Sequence, residues 1–358
     1  MSANEFGKIF KITSFGESHA KAVGGIIQGM PAGFAVDLDK IQIELNKRRP
    51  GFGKFSSPRK EEDKLIILSG IFEGKTLGTP IAFMIENTNQ KPKDYDNLKN
   101  VYRPSHADFT WEQKFGIRDY RGGGRASARE TASRIVAGAL AMQFLEKNQI
   151  SIKAFTKSIG NIVIGDNIQI PDKENIYNSD LRTIDKAAEE KMNNLLDKIK
   201  ADGDSIGGVV ECRISGVKAG IGEPVFDKLN ARLSYAMMGI NAVKAIEFGL
   251  GFKAAEVPAS QQNDSFTIVN DKIQTTSNYS AGIQGGISNA EEIYFSVAFK
   301  SIASISKTQK TVDSNKNQIN LNVKGRHDVC IVPRAVPIVE AMAAITIMDF
   351  LLLQKIND

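Results

Sequence analysis

Apolar and polar positions along the chain pick out two helix-like stretches that lack a polar face, set among shorter strand-like runs. Ser127 to Leu145 is rich in Ala, Leu and Met with Gly only at 138, and Val336 to Leu353 is apolar on nearly every side. Helices of this kind need cover all round, which predicts an α+β domain built in layers, with helices inside and sheets outside. Asp39 to Arg48 and Val225 to Met238 are further helix candidates. Leu181 to Ala201 is amphipathic and heavily charged, so a surface helix is expected there with Leu195, Leu196 and Ile199 turned inward. Lys64 to Ile71, Ile81 to Glu86, Ile206 to Ile214 and Ile293 to Ala298 read as strands.

The pattern repeats once. Gly24-Gly25-Ile26-Ile27 runs on to Gly29 and Ala32-Gly33, while Gly207-Gly208-Val209-Val210 runs on to Gly216 and Ala219-Gly220. Each Gly-Gly opens a β-branched run followed by a helix candidate, which points to a duplicated strand-turn-helix unit; chance likeness among glycine-rich strands is the alternative. No Pro/Ser-rich linker divides the sequence, so residues 1–358 are expected to form a single domain.

Composition narrows the class. With 42% apolar and 24% charged residues and a net charge of +5, the chain is not a disordered one. Cys212 and Cys330 are the only cysteines, which excludes a disulfide scaffold and paired zinc knuckles; no metal is expected. Glu340 and Asp349 interrupt the most apolar stretch, and Glu5, Lys8 and Lys11 interrupt any apolar core at the N-terminus. These positions argue for a cytoplasmic protein without a membrane span or secretory signal.

Charge is distributed unevenly. The chain holds 14 arginines against 32 lysines, yet between Arg103 and Arg134 the preference inverts: Arg103, Arg118, Arg121, Arg125, Arg129 and Arg134 face Lys114 as the sole lysine. Guanidinium grips phosphate and carboxylate with a planar fork, so the inversion points to anion recognition, with structural ion pairs as the alternative.

All 3 histidines lie in short polar segments: Gly16-Glu17-Ser18-His19, Arg103-Pro104-Ser105-His106-Ala107-Asp108 and Gly325-Arg326-His327-Asp328. Ionisable neighbours in loop-like settings favour acid/base work over a structural role. The run Asp119 to Glu130 carries Gly122-Gly123-Gly124, then Ser127 as a helix cap, with Arg125 and Arg129 expected to project on one side of the helix. Close backbone approach and a helix N-terminus suit a phosphorylated ligand; a well-capped helix with surface arginines is the plainer reading. Neither a P-loop nor a G-x-G-x-x-G pattern is present. Arg48 to Lys54 and Ala281 to Ser288 are glycine-containing segments able to contribute to a large site.

Three ordered segments resemble the chorismate synthase family: Gly16-Glu17-Ser18-His19 with Gly29-Met30-Pro31, then Gly122 to Thr131, then Arg326-His327-Asp328 through Ala335-Val336-Pro337 to Glu340-Ala341-Met342. The likeness extends from Phe6-Gly7 to the final helix. Departures are Ala20 for the usual Gly, Gln28 for an acid, Lys54 for Arg, Ser301 in a Lys-Pro-type flavin segment, and Val329 where Pro often follows the Asp.

The resemblance implies a carbon-oxygen lyase acting on phosphates. It implies anti 1,4-elimination of phosphate from 5-enolpyruvylshikimate 3-phosphate to give chorismate, requiring reduced FMN without net redox change. It also implies a layered β-α-α-β fold and a homotetramer. The flavin would lend electron density and take the C6 proton at N5. Carried over position by position, Arg48, Arg103, Arg129 and Arg326 would hold the substrate's anionic groups, with His19 on the leaving phosphate. His106 would sit at the flavin ring, and Asp328 with Ser18 and Ser127 would relay the proton. His327 is taken as structural. FMN contacts would come from Arg125, Ala126, Ser127, Asn241, Ala242, Gly285, Lys300, Ser301, Ile302, Ala303, Ser304 and Arg326. Arg48 and Lys54 match positions assigned to NADPH, a possible flavin reductant. A nucleic-acid-binding protein using the basic 103–134 stretch is the alternative from another class, but no basic motif interleaved with aromatics occurs. A flavin-dependent redox enzyme is the second.

Overall fold

The structure is a computed structural model that describes residues 3–51, 53–56, 62–88, 92–165, 168–322 and 328–357. Two five-stranded antiparallel sheets enclose the central helices. The first sheet has the order β1-β2-β3-β5-β4, from Glu5–Phe6 (β1), Lys11–Phe15 (β2), Ala22–Gln28 (β3), Leu65–Ile67 (β4) and Ile81–Glu86 (β5). Strands Ser151–Ile159 (β6), Ile162–Val163 (β7), Gly208–Ser215 (β8), Val243–Phe248 (β9) and Ile293–Phe299 (β10) form the second, in the order β9-β10-β8-β6-β7. Between them lie Leu38–Arg48 (α1) and Thr131–Lys147 (α2) from the first half, and Leu229–Met238 (α4) and Val332–Asn357 (α5) from the second. The charged helix Lys186–Ala201 (α3) is peripheral, burying only Ala188, Met192 and Leu196.

The internal echo is a true topological repeat. The unit β2-β3-α1-β4-β5-α2 and the unit β6-β8-α4-β9-β10-α5 each pair their four strands in the order first, second, fourth, third. Gly24-Gly25 lies within β3, and Gly207-Gly208 leads into its counterpart β8. Period-2 burial explains the strands: Ile81, Phe83 and Ile85 of β5 and Ile293, Phe295 and Val297 of β10 face inward.

The central helices bear out the layered expectation. Every residue of α2 from Thr131 to Leu145 except Arg134 is buried, as is every residue of α5 from Ala335 to Phe350. α2 packs on the first sheet and α5 on the second, and the two meet where Gly138 faces Ala341. A Cβ at Gly138 would lie 2.8 Å from the Ala341 carbonyl oxygen and closer still to its Cα and Cβ.

The two acids within α5 are both answered. Asp349 accepts from the backbone N–H groups of Lys8, Ile9 and Phe10 at 2.7–2.9 Å, stapling the N-terminal strand region to the last helix. Glu340 accepts from Ala154 N at 2.9 Å, Tyr177 Oη at 2.9 Å and Lys173 Nζ at 3.0 Å. Burial raises the Glu340 carboxyl, opposed by Lys173. Among the described residues α5 is the one helix long and apolar enough to cross a membrane, and it is almost wholly buried within the protein.

Several boundaries differ from expectation. The helix expected from Ser127 starts at Thr131, because Gly124–Ala126 and Ala128–Glu130 form 3-10 turns and Ser127 Oγ caps the second by accepting from Arg129 N at 3.3 Å. α3 starts at Lys186, where Asp185 caps Ala187 and Ala188, and Arg182 upstream has a left-handed φ of 56°. α4 starts at Leu229, leaving Val225 and Phe226 exposed. The expected strand Lys64 to Ile71 is split: Leu65–Ile67 joins the sheet, while Ile71–Phe72 pairs in a small hairpin with Lys75–Thr76.

Gly138→Ala replaces the weaker helix former yet overfills the crossing. We expect a loss of about 1–3 kcal/mol, read as a lower denaturation midpoint at unchanged m-value; equal or greater stability would show that the helices can separate at no cost.

Candidate active site

The turn between β2 and β3 carries Ser18 and His19 to one end of the first sheet. Ser18 Oγ lies 3.1 Å from His19 Nδ1, and the buried His19 ring meets Tyr95 edge-on with centroids 4.9 Å apart. Gly122 closes over both: with φ of 97°, it leaves no room for a Cβ, which would come within 2.5 Å of His19 Cε1 and 2.9 Å of Ser18 Oγ. Conformation and space both demand glycine here.

From Gly122 a circuit of contacts runs through both halves of the fold. Arg103 Nη2 donates to Gly122 O at 3.0 Å. At the other end of the glycine loop, Ala126 O accepts from Asn241 Nδ2 at 2.9 Å. Lys300 N donates to Ala242 O at 2.9 Å, and the 300–304 segment ends where Ser304 Oγ lies 2.7 Å from His106 Nε2. His106 N donates back to Arg103 O at 3.2 Å. Both histidines, the glycine loop and the segments 241–242 and 300–304 therefore surround one region. Ser301 is exposed, Ile302 O accepts from Ser205 Oγ at 2.6 Å, and Ala303 is half-buried.

A second, deeper cluster gathers arginines. Arg48 Nη2 is 2.8 Å from Asp63 Oδ2, Arg129 Nη1 pairs with Asp63 Oδ1, and Arg48 Nη1 donates to Ala128 O at 3.2 Å. Arg129 also donates to Glu86 O at 3.1 Å and to Asn87 Oδ1 at 2.7 Å. Asn87 in turn donates to Glu17 O and Ala20 O at 3.0 and 2.8 Å, which braces the His19 turn from below. Arg103 grips Asp108 through Nε and Nη2, both at 2.7 Å. Burial opposes ionisation of Asp108, but the Arg103 bonds and charge outweigh it and hold the carboxyl below its usual range.

Of the six arginines in the 103–134 stretch, five pair with carboxylates: Arg103 and Arg118 with Asp108, Arg121 with Asp119, Arg129 with Asp63 and Arg134 with Glu130. Ion pairing thus accounts for much of the inversion. Arg125 instead bonds Ser14 Oγ at 2.6 Å and Gly16 O at 3.1 Å. Arg125 and Arg129 part company, because 3-10 turns replace the expected helix there.

Asp328 pairs with Arg334 and accepts from Ser56 Oγ at 3.4 Å, while Arg334 Nε donates to Arg48 O at 3.2 Å. Lys54 is exposed and pairs with Asp197 at 2.7 Å. Gly285 sits on the hairpin Ile283–Gln284/Ile287–Ser288, which is tied to the 222–229 segment through Gly222 and Leu229. Arg326 and His327 lie outside the described residues.

Residues 10–352 match the family model described as chorismate synthase. A chorismate synthase of Phocaeicola vulgatus is 53% identical over 352 residues, covering 98% of each chain. That of Flavobacterium psychrophilum is 53% identical over 356 residues, covering 99% of each. A crystal structure of chorismate synthase superposes with a TM-score of 0.78 at 30% identity, over 98% of this chain and 93% of the other. The chain belongs to the chorismate synthase family. It is a lyase of the shikimate pathway.

For a chorismate synthase, the sequence motifs locate the loops of this site well, but not what holds them. Asp63 and Asn87 lie outside the glycine- and histidine-bearing motifs, and for Asp108 and Arg334, which lie within them, the motif does not show which partners folding brings near. Asp108 alone carried a usable signal, standing two residues after His106.

Gly122→Ala should displace His19 and Ser18 while leaving the buried layers intact. A shift of about 1 Å in a reacting group can lower turnover by roughly 10²-fold. Turnover measured beside the thermal midpoint checks this; near-normal turnover would mean that His19 takes no part in the reaction.

Proposed function

We propose that reduced FMN binds in the region ringed by the 122–127 loop, Asn241–Ala242 and Lys300–Ser304, with 5-enolpyruvylshikimate 3-phosphate against it. The observation that carries this reading is the closed circuit joining His19, Arg103, Gly122, Asn241, Lys300 and His106. Two features fit a flavin nucleotide. Asn241 Oδ1 is buried with no hydrogen-bond donor, so it is ready to accept from a ring N–H. Lys300 is held below the usual lysine range by burial and by the nearby Lys244, with no carboxylate paired to either lysine among the described residues; a phosphate would relieve both.

Reduced flavin supplies electron density to the leaving-group system and a basic nitrogen for the C6 proton. The protein's part is binding, orientation and proton handling. Arg48, Arg103, Arg129 and Arg326 hold the substrate's phosphate and carboxylates, whose charges would otherwise repel an anionic flavin. His19, braced by Ser18 and Gly122, hydrogen-bonds or protonates the departing phosphate. His106, fixed by Ser304, faces the flavin ring, and Asp328 with Ser18 and Ser127 passes the proton on. Arg125 contributes through its backbone, since its side chain is tied to the end of β2.

The same reading takes residues 1–358 as one domain working in a cytoplasmic homotetramer. Of the two positions matched to NADPH, Arg48 is assigned here to the substrate, and Lys54 pairs with Asp197 at the surface. Flavin reduced elsewhere is therefore the working cofactor.

In an anaerobic assay with reduced FMN and 5-enolpyruvylshikimate 3-phosphate, chorismate and inorganic phosphate should appear without stoichiometric flavin oxidation. Folded protein that yields neither product would overturn the reading, and consumption of one flavin per turnover would favour a redox enzyme. His106→Ala and Asp328→Ala should each lower turnover by roughly 10²–10⁴-fold, the range for acid–base groups. Normal turnover in both would remove them from the proton path.

A further inference from the structure

Asp63 stands just before β4 with its side chain fully enclosed, and both of its oxygens are taken by arginines. Oδ2 accepts from Arg48 and Oδ1 from Arg129, so two forks converge on one carboxylate. Neither arginine has an open face: Arg48 and Arg129 side chains are 2% and 7% exposed. Arg48 Nε is buried without an acceptor, so this arginine can still bind more anion than it holds. The Asp63 backbone is left-handed, with φ of 46°, an uncommon state for a residue with a Cβ. Gln42 on α1 fixes that bend from both sides, donating to Asp63 O at 3.1 Å and accepting from Leu65 N at 2.9 Å. Burial works against ionisation here, but the two guanidinium groups prevail and keep the carboxyl below its ordinary range.

We propose that Asp63 is a specificity-determining residue of the substrate-anion seat: its carboxylate occupies Arg48 and Arg129 until a substrate anion replaces it, and reclaims them when phosphate departs. This rests on the reading of Arg48 and Arg129 as substrate-binding residues. With the Asp63 carboxylate withdrawn, buried positive charge on Arg48 and Arg129 would be less compensated and would draw in small anions, including the inorganic phosphate that the reaction itself releases. A tethered carboxylate competes at high effective concentration with every such anion. A substrate bearing a phosphate and two carboxylates on one rigid ring brings several anchors together and displaces it; free phosphate brings one. Discrimination therefore comes from an internal competitor as much as from the arginines.

Asp63→Asn keeps the shape and removes the charge. In the holoenzyme with reduced FMN, the competitive inhibition constant of inorganic phosphate should fall by roughly tenfold. The substrate KM should fall by a smaller factor, so that the ratio of the two constants changes, while kcat does not rise, because phosphate leaves more slowly. An unchanged or higher phosphate constant in folded D63N overturns the proposal, as a merely structural ion pair would loosen the seat. If D63N does not fold, D63E is the test: its longer side chain keeps the charge but cannot bridge both forks, so tighter phosphate inhibition supports the proposal and unchanged inhibition overturns it. R48K and R129K separate the two levels. If both leave KM and phosphate inhibition unchanged, the arginine seat itself is misassigned and this role falls with it; if they weaken both while D63N fails to tighten phosphate, only the role of Asp63 falls.

Discussion

Two helices without a polar face have to be covered on every side, and the rest of this structure follows from meeting that demand. α2 and α5 cover each other along a crossing close enough that only glycine fits opposite Ala341. The remaining faces are covered by one sheet each, with α1 and α4 filling the flanks. Close packing of this kind tolerates little movement, because lost contacts are not regained by small shifts. The helix N-termini at Thr131 and Val332 are consequently fixed relative to each other, and Arg48 reaches both: it donates to Ala128 O just before α2 and accepts from Arg334 in the first turn of α5. The site is built on the ends of the most immovable elements in the molecule.

Buried charge is handled the same way throughout. Asp349 is satisfied by three backbone N–H groups, Glu340 by a strand N–H, a tyrosine and a lysine, Asp108 by two arginines and Asp63 by two more. Replacing such pairs by apolar residues often costs nothing, whereas removing one partner leaves a buried charge exposed to no solvent. Their value here is positional. The first two tie chain segments to the central helix, and the other two fix the arginines proposed to bind the substrate's anions.

Much of this was legible in the sequence for a simple reason: periodicity and glycine placement are local. The apolar helices, the strand pairs and the duplicated unit are written in consecutive residues, and so are the loops that carry His19 and His106. Helix starts were less legible, since competing caps decide them; Ser127 caps a 3-10 turn instead of α2, and Asp185 rather than Leu181 opens α3. Ion-pair partners were not legible at all. Nothing in the stretch around Asp63 announces that a residue 66 positions from Arg129 and 15 from Arg48 will join them. Arginine enrichment alone could not separate anion recognition from ion pairing; the structure shows the ion pairs.

The duplication makes the two halves alike in topology and unlike in chemistry. In each repeat the connection from the last strand to the buried helix contributes to the site, beside the β2–β3 turn and Asn241–Ala242. In the first repeat it runs from β5 to α2 and carries Arg103, His106 and the Gly122 loop; in the second it runs from β10 to α5 and carries Lys300 to Ser304 and Asp328, with Arg334 following in the first turn of α5. A pair of equivalent crossovers, held at a fixed spacing by α2 and α5, can diverge in the stretches that lie outside the core. One carries the glycine loop Gly122-Gly123-Gly124, the other a lysine and polar side chains. The helix dipoles add a shared bias: both buried helices present N-terminal ends toward the arginine cluster, where partial positive charge favours anions. Specificity for a multiply anionic substrate then follows from the fold before any single contact is counted, and Asp63 is needed because that bias, left unopposed, would favour every anion alike.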